Sequence, residues 1–291
     1  MSGKFKKYSQ LIINSMKFKK IKQFDNSTPS NVIFDYDKVY IKNLFLDPFC
    51  SKKNIDLILC ILSGLLYKYE DLEYINKVCS SWGLTNDNYN IYNLNGGRLI
   101  FGIFIIQKKI LVIFKGSSSI DDFMSDLDFV EYDSPEDYTL GKVHRGFYDK
   151  LFEIENGKPR CSYLIDLIQK YPDNYDIYMS GHSLGGGLAT VFYPYLKHDK
   201  DISNKITIVT FGCPRTGDAV FKNSINLITR RYIYNNDLVP HLPLAIFGYR
   251  HIPNHIHLKP YNINGSISCS DLLGIWSVED HHIDNYFYAL I

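Results

Sequence analysis

The sequence predicts an α/β fold, with a mostly parallel central sheet flanked by helices. Apolar strand-like runs alternate with helix-like segments along much of the 291 residues. One such run, 176–180, passes through the glycine-rich stretch SGHSLGGG (180–187) directly into helix-forming sequence. Apolar residues make up 45% and aromatics 15%, enough for one large core, and neither repeats nor Pro/Gly-rich linkers divide the chain. The expected organisation is a basic N-terminal extension over 1–50, possible to pack on the core, and a single domain over 51–291.

In chain order, residues 54–78 have helical periodicity. The runs 99–106 and 110–114 read as two strands joined by the polar turn 107–109, a hairpin signal. Charged, turn-rich sequence follows from 117 to 142. A helix is expected over 144–170, a strand over 176–180, and a helix through 197. Then come a strand at 206–211, a short helix at 217–226 and a strand at 231–234.

Charge excludes some functions. The formal net charge is +1, which gives no global field for nucleic acid or membrane. The first 24 residues nevertheless hold seven lysines and no acid, interleaved with apolar residues. Such a segment can rest on an anionic lipid or lipid-droplet surface, or be a solvated extension. No signal-peptide core is evident, and the apolar run at 57–66 is too short to span a bilayer. An intracellular, cytoplasmic protein, soluble or peripherally bound to membrane, is expected. The six cysteines (Cys50, Cys60, Cys79, Cys161, Cys213, Cys269) lack metal-type spacing and read as buried free thiols. His255 and His257 share one strand face but have no matching ligands in the sequence, so no metal site is expected. Phosphate-loop and dinucleotide patterns are missing, and no cofactor is implied.

The stretch at 180–187 carries the chemistry. A reactive serine must project its hydroxyl while neighbouring chain passes close by. Gly181 and Gly185 remove the side chains that would collide at a sharp strand-to-helix turn around Ser183. This is the nucleophile elbow of α/β-hydrolases. A serine hydroxyl needs a base, and the base needs a carboxylate, expected in the chain order Ser, Asp, His. Asp218 reads as a helix N-cap, whereas Asp237 follows the strand 231–234, where a carboxylate reaches the C-terminal edge of the sheet. Adjacent His281 and His282 both fit the base.

Beyond the elbow, the sequence resembles the class 3 lipases, the fungal triacylglycerol lipase type. The likeness rests on FKGSSSI (114–120), VHRGF (143–147), GHSLGG (181–186), FGCPR (211–215), YNNDLVPHLP (234–243) and DHHIDNY (280–286), in family order from about residue 55 onward. The resemblance implies Asp237 as the acid and, from the five-residue spacing to Tyr286, His281 as the base. A shorter fungal spacing keeps His282 open. It implies an oxyanion hole from Ser117 and the Leu184 N–H. It places a lid in 118–142, with Phe123 and Met124 as its apolar residues. Phe123 stands where fungal lids commonly carry tryptophan, which argues against strong interfacial activation. His144, in VHRGF, is expected to be structural.

The expected function is a serine carboxylesterase acting on acylglycerol esters through an acyl-enzyme. Phospholipase A1 or other carboxylesterase activity is the near alternative. A catalytically silent homologue that binds lipid or a partner is the distant one, and its mark would be a broken triad.

Overall fold

A computed structural model of the chain describes Phe34 and residues 36–47, 51–118, 131–133, 141–198, 202–225, 228–260 and 276–291. The basic segment 1–24, Cys50, Cys269, and the lid candidates Phe123 and Met124 lie outside the described residues.

The core is a seven-stranded sheet in the order β1-β2-β3-β8-β9-β10-β11. Its strands are β1 (Tyr89–Leu94), β2 (Leu99–Ile106), β3 (Lys109–Phe114), β8 (Asp176–His182), β9 (Ile206–Phe211), β10 (Ile228–Tyr234) and β11 (His255–Leu258). The first three pair antiparallel as a meander, and from β3 onward every pairing is parallel. Two minor pairs, β4 (Glu131–Asp133) with β5 (Lys142–His144) and β6 (Ile154–Glu155) with β7 (Lys158–Pro159), lie outside it.

Strand alternation sends side chains to two helical layers. On β3, Ile110, Val112 and Phe114 enter the core beneath α4 (Arg145–Phe152), α5 (Arg160–Ile168) and α6 (Leu184–His198). Leu111 and Ile113 enter the opposite core, beneath α1 (Lys38–Leu46), α2 (Lys52–Leu65), α3 (Leu72–Ser81) and α8 (Ile283–Leu290). Because helices cover both faces, the central strands read as continuous apolar runs. Asp56, buried on α2, is compensated by Arg230 Nε at 2.7 Å and the Tyr232 hydroxyl at 2.7 Å, tying that layer to β10.

Two expected helices are each split. The periodicity of 54–78 breaks after a 3-10 turn (Leu66–Lys68), and α3 restarts behind Asp71, whose carboxylate accepts from Tyr74 N. The expected helix over 144–170 is interrupted by the β6–β7 hairpin. Its turn residues Asn156 and Gly157 have φ of 51° and 81°, the left-handed pair that favours a tight hairpin. Asp218 caps α7 (Ala219–Ser224), its Oδ1 accepting from Phe221 N at 2.8 Å. The four described cysteines, Cys60, Cys79, Cys161 and Cys213, are buried free thiols, and burial pushes Cys213 up to about 11. Among the described residues no helix is long and apolar enough to cross a membrane.

Candidate active site

β8 ends at His182 and α6 begins at Leu184, so Ser183 is the single residue of the turn. Its φ is 56°, a left-handed conformation that a non-glycine residue holds only when its surroundings enforce it. The enforcement is visible. Ser183 N donates to Phe211 O at 2.9 Å, and Ser183 O accepts from Gly186 N at 3.0 Å. A Cβ on Gly181 would lie 2.3 Å from the Gly185 carbonyl carbon, and one on Gly185 would lie 2.1 Å from Phe114 O. Only glycine at both positions lets β8, α6 and the end of β3 meet.

Asp237 lies beyond β10 and is fully buried. Its Oδ1 accepts from Val239 N at 2.9 Å; its Oδ2 accepts from His281 Nδ1 at 2.8 Å and from the Tyr286 hydroxyl. Burial and the neighbouring carboxylate hold the Tyr286 phenol well above its ordinary value, so it stays a donor. With Nδ1–H committed to Asp237, His281 presents a bare Nε2 lone pair. That nitrogen is buried and without a hydrogen bond, to Ser183 or to any other described group.

The adjacent histidines diverge completely. His281 is 1% exposed against Asp237, whereas the His282 side chain is 30% exposed. His282 caps α8, with Nδ1 3.4 Å from both the Asp284 carboxylate and its N–H. The segment carrying His281 is docked on the Asp237 loop by backbone bonds, Leu238 N to Ser277 O at 3.1 Å and Ser277 N to Asn236 O at 2.8 Å. The Asp280 carboxylate adds bonds from Asn235 Nδ2 (2.9 Å) and Asn236 N (3.1 Å).

Ser117 and Leu184 line one cavity of about 190 Å³, together with Lys115, Gly116 and Leu188. Lys115 Nζ donates to Gly116 O at 3.1 Å and Ser118 Oγ at 2.7 Å, and burial lowers its pKa to about 8. Three further residues beside the site were not singled out by sequence. Gly212, with φ of 59°, leaves room for the Asp237–His281 pair: a Cβ there would sit 2.7 Å from His281 Cε1 and 2.9 Å from Asp237 Oδ2. Its signals are its place directly after the strand 206–211 and inside FGCPR (211–215). The His182 ring stacks on His281 and the Tyr67 hydroxyl bonds His182; nothing in the sequence points to Tyr67.

Other candidates fall away from this cluster. His144 caps α4, its Nδ1 accepting from Gly146 N at 3.0 Å, with its ring against Phe147 and Tyr249. His257 Nε2 bonds Asn235 O at 2.6 Å, and among the described residues no group of three or more His, Cys, Asp or Glu could hold a metal.

The fold and the strand–serine–helix turn define an α/β-hydrolase. Within that class, residues 111–247 match the model of the family described as lipase (class 3). A lipase from Rhizomucor miehei is 37% identical over 190 residues, 60% of this chain and 51% of that protein. A secreted mono- and diacylglycerol lipase from Fusarium solani is 30% identical over 149 residues, covering 50% of this chain and 42% of its own. The chain thus spans about half the length, or less, of these curated relatives. Among solved structures, Rhizomucor miehei triacylglyceride lipase superposes with a TM-score of 0.59 at 26% identity, covering 80% of this chain and 94% of that one. A triacylglycerol lipase whose catalytic centre is described as a serine protease triad gives 0.56 at 27% identity, covering 70% and 82%.

Proposed function

We propose that this protein hydrolyses acylglycerol esters by a serine mechanism. The observation that carries the proposal is the joint geometry of a serine forced into a left-handed turn and a buried Asp237–His281 pair with its outer nitrogen unoccupied. Ser183 attacks the ester carbonyl while His281 Nε2 takes its proton. Asp237 holds the tautomer and stabilises the imidazolium that forms. The oxyanion is received by the Leu184 N–H and Ser117; that both residues border one cavity supports this reading. His281 returns the proton to the leaving alcohol, and water releases the fatty acid from the acyl-enzyme by the same steps in reverse.

The acylglycerol class is supported by the names of the relatives, which include mono- and diacylglycerol lipases. A second proposal, that the lysine-rich segment 1–24 recruits the enzyme to anionic lipid, rests on its charge pattern. Hydrolysis of a graded series, from soluble short-chain esters to emulsified triacylglycerol and phospholipid, tests the main reading with Ser183→Ala as control. Acylglycerol turnover absent from the variant is the expected result. A folded protein inert on every ester would leave a lipid-binding role instead.

A further inference from the structure

His182, the residue before Ser183, is buried, and both of its ring nitrogens are engaged. Nε2 lies 2.7 Å from the backbone carbonyl oxygen of His281, and Nδ1 lies 2.7 Å from the Tyr67 hydroxyl. These partners fix the proton positions. A carbonyl only accepts, so His182 Nε2 carries the hydrogen and donates. Burial, with His281 next to it, holds His182 well below the ordinary histidine value, so the ring is neutral and Nδ1 is bare. Nδ1 therefore accepts from Tyr67, whose own pKa burial raises, so that it keeps its proton.

The two imidazoles also stack, with centroids 4.5 Å apart and planes 29° apart. His281 is thereby fixed on three sides. Its Nδ1–H points at Asp237, its ring face lies on His182, and its carbonyl is held by His182 Nε2. Holding the carbonyl fixes the backbone from which the imidazole projects, and stacking fixes the ring plane. Tyr67 reaches this point from the 3-10 turn after α2. Its hydroxyl occupies the space a side chain at Gly116 would need, 2.0 Å from the position of that Cβ, and the Lys115 ammonium sits 5.4 Å from its ring centroid. One hydroxyl thus touches both the loop that precedes Ser117 and the histidine that supports the base.

We propose that Tyr67 and His182 are a positioning pair for His281, a buried hydrogen-bonded chain that holds the base in line with Ser183 and registers it against the Ser117 loop. The proposal rests on the serine-esterase reading above. A purely packing role would be filled by any apolar side chain of similar size. A positioning role needs a donor where Nε2 stands, which a glutamine amide supplies and leucine does not.

The test compares His182→Leu, His182→Gln and Tyr67→Phe. Competent sites are counted by stoichiometric labelling with a nitrophenyl alkylphosphonate, and kcat and KM are measured per labelled site on a soluble short-chain ester. Leucine is expected to lower kcat about 10- to 100-fold, the scale of an ångström-level misplacement, with KM little changed. Glutamine should restore most of kcat, and Tyr67→Phe should fall between. Unchanged kcat per labelled site in the leucine variant, or equal losses in leucine and glutamine, overturns the proposal. The low-field proton resonance of His281 Nδ1–H gives a readout independent of turnover. It should be sharp in the wild type and the glutamine variant and lost or broadened in the leucine variant; persistence in leucine also overturns the pair. A wild type with that resonance but no ester hydrolysis would sink the esterase reading and leave the pair standing.

Discussion

Ser183 and His281 are held by different kinds of constraint. Around Ser183 much of the geometry comes from its own neighbourhood: Gly181 and Gly185 flank it, and its carbonyl accepts from Gly186 three residues on. Around His281 the side-chain contacts come from afar, from Asp237 44 residues away and His182 99 residues away. A turn set by local sterics withstands change elsewhere as long as its glycines remain. A side chain held from distant loops depends on each tether, so its failures should be graded.

The largest predicted contrast is between the two adjacent histidines. His281→Ala should cut kcat by about a millionfold, as losing a triad base does elsewhere, while His282→Ala should cost only the helix cap, about 1 kcal/mol of stability. Steady-state kinetics and thermal melts on both variants check this, and equal losses would break the comparison. Next, Asp237→Asn should cost about ten-thousandfold in kcat, because an amide no longer fixes the Nδ1–H tautomer. Gly212→Ala comes third. Its methyl would press on His281 Cε1 and Asp237 Oδ2 from a left-handed backbone. A loss of about 100-fold in kcat and about 1–2 kcal/mol of stability is expected, read by kinetics and denaturant unfolding.

The smallest effect concerns pH and Lys115. Its ammonium faces the Tyr67 and Tyr69 rings, with Glu70 favouring its charge and Lys150 opposing it. The charge stands at the wall of the cavity shared by Ser117 and Leu184, and it is lost as pH rises through about 8. Activity should therefore fall severalfold across that range, and Lys115→Arg, which keeps its charge, should lack this limb. Stability should move the other way. The folded value lies below the unfolded 10.5, so between the two the unfolded chain binds more protons and the Lys115 contribution to stability rises with pH. Melts of wild type and Lys115→Met across pH 7 to 10 would show the difference.

The same contrast explains what could be read from the sequence. The glycines around Ser183 and the apolar runs of β2, β3, β8 and β9 announce themselves because local sterics and burial on both faces dictate residue type. The outer strands do not. β1 has one buried residue and β11 none, so neither shows a strong apolar run. The helix expected over 144–170 hid a hairpin whose Asn156-Gly157 turn was a readable signal. The neighbouring histidines are a sharper case. Spacing favoured His281, but the docking of 276–281 on the Asp237 loop is what separates them, and it depends on partners some forty residues away. Tyr67 illustrates the limit, since its meaning lies entirely in a contact 115 residues along the chain.

The most direct measurement is covalent labelling with a nitrophenyl alkylphosphonate, which reacts only with an activated serine and mimics the tetrahedral intermediate. A Ser183–His281 mechanism predicts one adduct per chain, mapped by mass spectrometry to Ser183, absent in Ser183→Ala and strongly slowed in His281→Ala but not in His282→Ala. No adduct on the folded wild-type chain, or an adduct on any other serine, would contradict it.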